Sequence, residues 1–166
     1  VYKRQLDPRL VEIDVVRFEG HGFSMVDNRL FALQLVQSGL TPATLFLANG
    51  QVAQAADVLY KRPIVLMRGS FNPVCNLHLE VMAQVKKTFL SHINETQADR
   101  CMEICEISMN NLLRGDDVDH LEFLDRADSL KALGKNVLIT KMARFDNLSG
   151  LLARYTREPI AIALSI

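Results

Sequence analysis

Residues 63–79 read Pro63-Ile64-Val65-Leu66-Met67-Arg68-Gly69-Ser70-Phe71-Asn72-Pro73-Val74-Cys75-Asn76-Leu77-His78-Leu79, and the order of chemistries in this stretch decides the fold class. Pro63 to Met67 is a short unbroken apolar run, which a strand needs when both its faces are buried in a parallel sheet. Gly69 lets the backbone turn sharply and approach a ligand closely, while Pro73 ends the strand and stiffens the loop. From about Asn76 the apolar spacing becomes helical, so the predicted order is strand, tight loop, helix. A helix starting there directs unpaired N–H groups and the positive end of its dipole into the crevice, which suits an anion. His78 falls in the first turn, where an imidazole donor can reach the same point and stabilise charge on a phosphoryl group.

Towards the C-terminus the first helix is expected to run to about Ser91, and Ala98 to Leu113 reads as a second helix closed by Gly115. Asp119 is a cap for a third, with Leu121, Leu124, Ala127, Leu130 and Leu133 at helical spacing and Gly134 as its stop. Val137 to Thr140 is a further buried strand, Arg144 to Tyr155 a helix, and Ile160 to Ile166 a final strand. Strands separated by long helical crossovers predict an α/β domain, a parallel sheet with helices on both faces.

Towards the N-terminus, Val11 to Phe18 alternates apolar and charged residues as a half-exposed strand does, until Gly20-His21-Gly22 breaks it. Asp27 caps a helix to about Gln37 with Gly39 as the stop. Thr44–Leu47 and Val52–Gln54 flank Asn49-Gly50, a strong hairpin signal. A boundary near Asp57 to Arg62 divides a smaller α+β portion (6–57, hairpin 43–54) from the α/β domain (58–166). Val1 to Gln5 resembles a translated sequencing adapter and is set aside. The apolar run at Ile166 stops without a polar cap, so a fragment of a longer protein, incomplete at its C-terminus, is expected.

Composition narrows the function classes. Of 166 residues 49% are hydrophobic and 23% charged, with 19 basic and 19 acidic side chains. That excludes intrinsic disorder and leaves no cationic excess for binding nucleic acid. No apolar run approaches membrane-helix length and no signal segment opens the chain, so neither a membrane nor a nucleic acid is an expected partner. Cys75, Cys101 and Cys105 have no metal-ligand spacing; Cys101 and Cys105 are expected on one helix face, as buried thiols of a cytoplasmic protein.

Other candidates have plainer readings. His21 belongs to a turn, and His92 and His120 sit at helix ends. Asp116-Asp117-x-Asp119 lacks the glycine and glutamate of a calcium loop and reads as a helix cap, so no metal site is predicted. Lys86-Lys87 and Arg154 with Arg157 lie at helix C-terminal regions, where the dipole favours them.

The block Gly69-Ser70-Phe71-Asn72-Pro73 with Cys75-Asn76-Leu77-His78 resembles the first motif of the nucleotidyltransferases that adenylylate nicotinate or nicotinamide mononucleotide. There a Gly-Ser-Phe-Asn-Pro loop precedes a His/Thr-x-x-His element. The resemblance implies a Rossmann-like fold, ATP with Mg²⁺ carried by the nucleotide, and small-molecule nucleotide substrates of NAD biosynthesis. It makes Gly69, Ser70, Phe71, Asn72, Cys75 and Asn76 the nucleotide-binding residues and His78 the catalytic one. Cys75 departs from the family, where histidine or threonine stands, because a thiol is a weak donor. The family's second signature, Ile-Ser-x-Thr-x-x-Arg, is not found; Ile107-Ser108-Met109-Asn110-Asn111-Leu112-Leu113-Arg114 only imitates it and is expected mid-helix. The wider layout also resembles a poorly characterised bacterial family named after this enzyme or, against its helical content, after a TonB-dependent receptor. The alternative class is a non-catalytic nucleotide-binding or protein-interaction domain.

Overall fold

The computed structural model of the chain describes residues 13–114 and 117–163. The segment Ile64–Arg68 forms a strand, β3, with Ile64, Val65, Leu66 and Met67 all buried. The remaining strands are β1 (Ala43–Phe46), β2 (Val52–Ala53), β4 (Met102–Ser108), β5 (Leu113–Arg114), β6 (Asp117–Val118), β7 (Asn136–Thr140) and β8 (Ile160–Ala163). The helices are α1 (Asn28–Ser38), α2 (Ala55–Leu59), α3 (Asn76–Leu90), α4 (Glu95–Asp99), α5 (His120–Ala132) and α6 (Phe145–Tyr155). The chain is mixed α/β, with a six-stranded sheet in the order β2-β1-β7-β4-β3-β8 and a separate β5-β6 ribbon.

β7, β4, β3 and β8 are parallel neighbours, while β1 runs antiparallel to both β7 and β2. The sheet is therefore mixed rather than wholly parallel. The hairpin anticipated around Asn49-Gly50 forms, and its strands extend this same sheet across the boundary expected near Asp57–Arg62. Because side chains alternate along a strand, β3 feeds two cores. Val65 and Met67 pack with Met82 of α3, Phe123, Ala127 and Leu130 of α5, and Ala32, Leu33 and Val36 of α1. Ile64 and Leu66 pack on the opposite face with Leu148, Leu151 and Leu152 of α6 and Leu59 of α2. The helices thus cover both faces.

Local chemistry accounts for most boundaries. Asp27 accepts from the Arg29 N–H to start α1, and Gly39 closes it at φ 77°. Asp119 accepts from the amides of Leu121 and Glu122 to start α5. Asp116 and Gly115 lie outside the described residues, as do Val1 to Glu12 and Leu164 to Ile166.

Two expectations need correction. The helix predicted over Ala98–Leu113 does not exist: α4 ends at Asp99, and Met102–Ser108 is β4, the strand between β3 and β7. Cys101 and Cys105 accordingly share no helix face; Cys101 is half-buried just before β4, and burial within β4 pushes the Cys105 thiol up to about 12. The strand predicted for Val11–Phe18 is also absent over residues 13–18, the part described. That segment is pinned individually instead, by Ile13 N–H on the Leu40 carbonyl and by Asn28, whose side chain bonds both backbone groups of Phe18. No helix among the described residues is long and apolar enough to cross a membrane.

Candidate functional site

The predicted block leaves the carboxyl end of β3, beside the ends of β4 and β7. Arg68, the last residue of β3, holds these ends together. Its Nε and Nη2 donate to the two carboxylate oxygens of Glu106 at 2.5 and 3.0 Å. Nη2 and Nη1 also donate to the carbonyls of Met142 and Ala143, and the guanidinium lies 4.7 Å from the Phe145 ring centroid. Glu106 is wholly buried in β4 and accepts a further hydrogen bond from Thr140 Oγ1 of β7 at 2.6 Å. A buried carboxylate is tolerated here because three donors satisfy it.

Gly69 follows with its N–H donated to the Glu106 carbonyl at 3.0 Å. That amide is therefore spent within the fold. A Cβ at 69 would stand 3.1 Å from the Phe71 ring, so tight contact, and not a positive φ, favours glycine here. Phe71 is the strained residue, with φ 49° and 1% exposure. Its ring also packs 5.2 Å, centroid to centroid, from the His78 imidazole. The bend and the imidazole thus meet through hydrocarbon. Ser70 and Asn72 are exposed, and the Asn72–Pro73 peptide is cis.

Cys75 caps α3, and Asn76 is the first helical residue; both are exposed. The backbone N–H of Cys75 donates to Nδ1 of His78 at 3.1 Å, and the thiol lies 3.2 Å from the same nitrogen. A residue at the third helical position that accepts from the cap amide is half of a capping box. With Nδ1 accepting, the neutral ring carries its proton on Nε2, which has no protein partner among the described residues. His78 is therefore a structural cap that keeps one ring N–H without a protein partner among the described residues.

Several residues at this site gave no sequence signal. Arg126 of α5 is buried and donates to the carbonyls of Ser70 and Asn111, and it pairs with Glu122 one turn earlier. Glu122 in turn accepts from Asn72 Nδ2 at 2.6 Å. Asn111 ends a 3-10 turn, Met109–Asn111, that follows β4 directly. The segment expected mid-helix as a mere imitation of the second signature thus ends a strand beside the block. Glu122 and Arg126 sit 50 and 56 positions from the loop residues they hold, and no local pattern announces such a contact.

Chemically, the site offers the amides of Ser70 and Phe71, the first-turn amides of Asn76 and Leu77, and Nε2–H of His78 as donors. Its formal charges nearly cancel, because Arg68 is matched by Glu106 and Arg126 by Glu122. Among the described residues no group of three His, Cys, Asp or Glu could hold a metal ion. No family model, curated protein or solved structure matches the chain.

Proposed function

We propose that this chain is a nucleotide-binding protein of Rossmann-like layout, and that the reaction it suits is adenylyl transfer from ATP to a pyridine mononucleotide. One observation carries the reading. The 69–78 block leaves β3, and β3 is where the order of the parallel strands reverses: the chain passes outward from β3 to β4 and β7, then returns past it to β8. Ligands of open α/β sheets bind outside the carboxyl ends of the strands at that reversal. The helices support the same layout, since α3 and α5 lie on one face and α6 on the other, as right-handed crossovers in opposite directions require.

In this reading an oxygen of the mononucleotide phosphate attacks the α-phosphorus of ATP, the α–β phosphoanhydride bond breaks, and pyrophosphate leaves. Mg²⁺ arrives on the nucleotide and neutralises phosphate charge. The chain's part is positional: the Ser70 and Phe71 amides and the start of α3 hold phosphate oxygens, and Nε2–H of His78 donates to one of them. A second reading, a non-catalytic nucleotide-binding domain, is favoured by Asn72, whose side-chain amide already donates to Glu122 at 2.6 Å instead of to a ligand.

The cap supplies a clean test. His78→Glu keeps an acceptor for the Cys75 amide, as capping boxes do, but replaces the Nε2–H donor with a negative charge. Calorimetry with Mg–ATP should show binding to the wild type and at least about a tenfold loss in His78→Glu, as expected when a charge-assisted hydrogen bond worth about 1.5–3 kcal/mol is removed. The variant's melting temperature should not fall. Equal ATP binding by both proteins would overturn the assignment of His78, and no binding by the wild type would overturn the site. Cys75→His then separates the two readings: a gain in pyrophosphate release with nicotinate mononucleotide supports transfer, and unchanged silence supports binding alone.

A further inference from the structure

A second concave site lies at the opposite end of β3, and its chemistry is more cationic than that of the loop. The turn before β3 (Tyr60–Arg62) and the turn before β8 (Thr156–Pro159) enclose a cavity of about 330 Å³ lined by Tyr60, Lys61, Arg154, Tyr155, Arg157 and Glu158. It opens beyond the amino ends of the parallel strands, whereas the 69–78 block lies beyond their carboxyl ends. Five residues of strand separate the two sites, which is about 16 Å at the usual rise.

The walls are built rather than incidental. Thr156 is buried, donates its hydroxyl to the Arg62 carbonyl at 3.0 Å and accepts from the Glu158 N–H at 3.1 Å, so it staples one turn to the other. The Ile64 N–H adds a bond to the Pro159 carbonyl. Lys61 takes φ 54°, a left-handed conformation that strains a non-glycine residue and tends to persist at functional positions. That turn leaves the Tyr60 side chain 63% exposed and sets the Lys61 ammonium 5.1 Å from its ring centroid.

The charges do not cancel here. Glu158 is already engaged by Gln97 at 2.7 Å and by Arg100 at 3.9 Å. Lys61 and Arg157 are exposed and have no carboxylate partner among the described residues. Two cations lining a stapled cavity together with the exposed Tyr60 match a ligand with an anionic group on a flat ring. Ammonium and guanidinium groups take the anion, and a tyrosine face takes the ring.

We propose that this cavity is a binding site for a nucleoside monophosphate, distinct from the 69–78 block. The inference does not rest on the function proposed for that block. It is tested on the full chain by following backbone amide NMR shifts at low salt with three probes: AMP, adenosine and inorganic phosphate. AMP should move the amides of residues 60–62 and 154–158 and should bind at least about tenfold more tightly than either fragment. Lys61→Gly removes the cation yet keeps the left-handed turn, and Arg157→Gln removes the other; each should weaken AMP several-fold, and together by about tenfold or more. The His78→Glu protein should retain these shifts, which separates failure here from failure at the block. Shifts confined to other residues, undiminished AMP binding in the double variant, or an affinity for adenosine or phosphate equal to that for AMP would each overturn the proposal.

Discussion

Gly69 and Phe71 show how narrowly one loop conformation is specified. Phe71 has 1% of its surface exposed and a left-handed backbone, so its ring has little freedom to retreat. A Cβ at position 69 would meet three of its ring atoms between 3.1 and 3.3 Å. Gly69→Ala should therefore destabilise the protein by about 1–3 kcal/mol through overpacking, read as a lower urea midpoint at unchanged slope. The cause can be isolated by coupling. Phe71→Leu removes the crowding ring atoms, so Gly69→Ala should cost clearly less in that background. Equal costs in both backgrounds would mean that glycine is needed for the turn alone. The sequence showed that a glycine here permits close approach, but not to what, since the neighbour proves to be a phenyl ring two residues on. For His78 the sequence suggested a donor to a ligand, and the coordinates add a cap through Nδ1.

The strand ends depend on a buried ion pair. Glu106 is 0% exposed and the Arg68 side chain 11%, so removing one charge leaves its partner stranded in low dielectric. Glu106→Ala should cost about 3–5 kcal/mol, while the double replacement Arg68→Met with Glu106→Leu should lie much nearer the wild type. Chemical denaturation of the two variants checks this, and a double variant as unstable as the single one would show that the hydrogen bonds to Met142, Ala143 and Thr140 matter more than charge balance. The same pair explains why β4 was illegible. Glu103 and Glu106 are three apart, as on one helix face, and a glutamate in the middle of Met102–Ser108 breaks the apolar run that a doubly covered strand should show. Periodicity cannot reveal that the carboxylate is matched by an arginine 38 positions away. β3, β7 and α5 carry no such interruption, and they appear close to where their patterns placed them. The Val11–Phe18 alternation misled in the other direction, because its polar residues are used singly, as with Arg17 on the Val52 carbonyl, and not in a ladder.

At the scale of the whole molecule, a net charge of zero conceals an arrangement with a measurable pH signature. Glu103 of β4 accepts from Lys86 of α3 and from Lys135 just before β7, each at 2.6 Å, so one carboxylate joins a helix to two strands. Partial burial raises its carboxyl, but the two ammonium groups outweigh that and hold it below the ordinary glutamate value of 4.5. The Arg29 side chain, against opposing desolvation, holds Asp27 below its ordinary value as well. Both groups then bind protons less readily folded than unfolded, so the unfolded chain takes up more protons as the medium acidifies. Their contribution to stability is complete above about pH 4.5 and declines as the pH falls through the folded-state values. Urea unfolding measured from about pH 6 to pH 3 should show this decline in the wild type. Glu103→Gln should be less stable at neutral pH and should lose stability less steeply in acid, because an amide at 103 has no proton to gain. Parallel acid limbs in the two proteins would show that the two lysines do not hold Glu103 ionised in the fold.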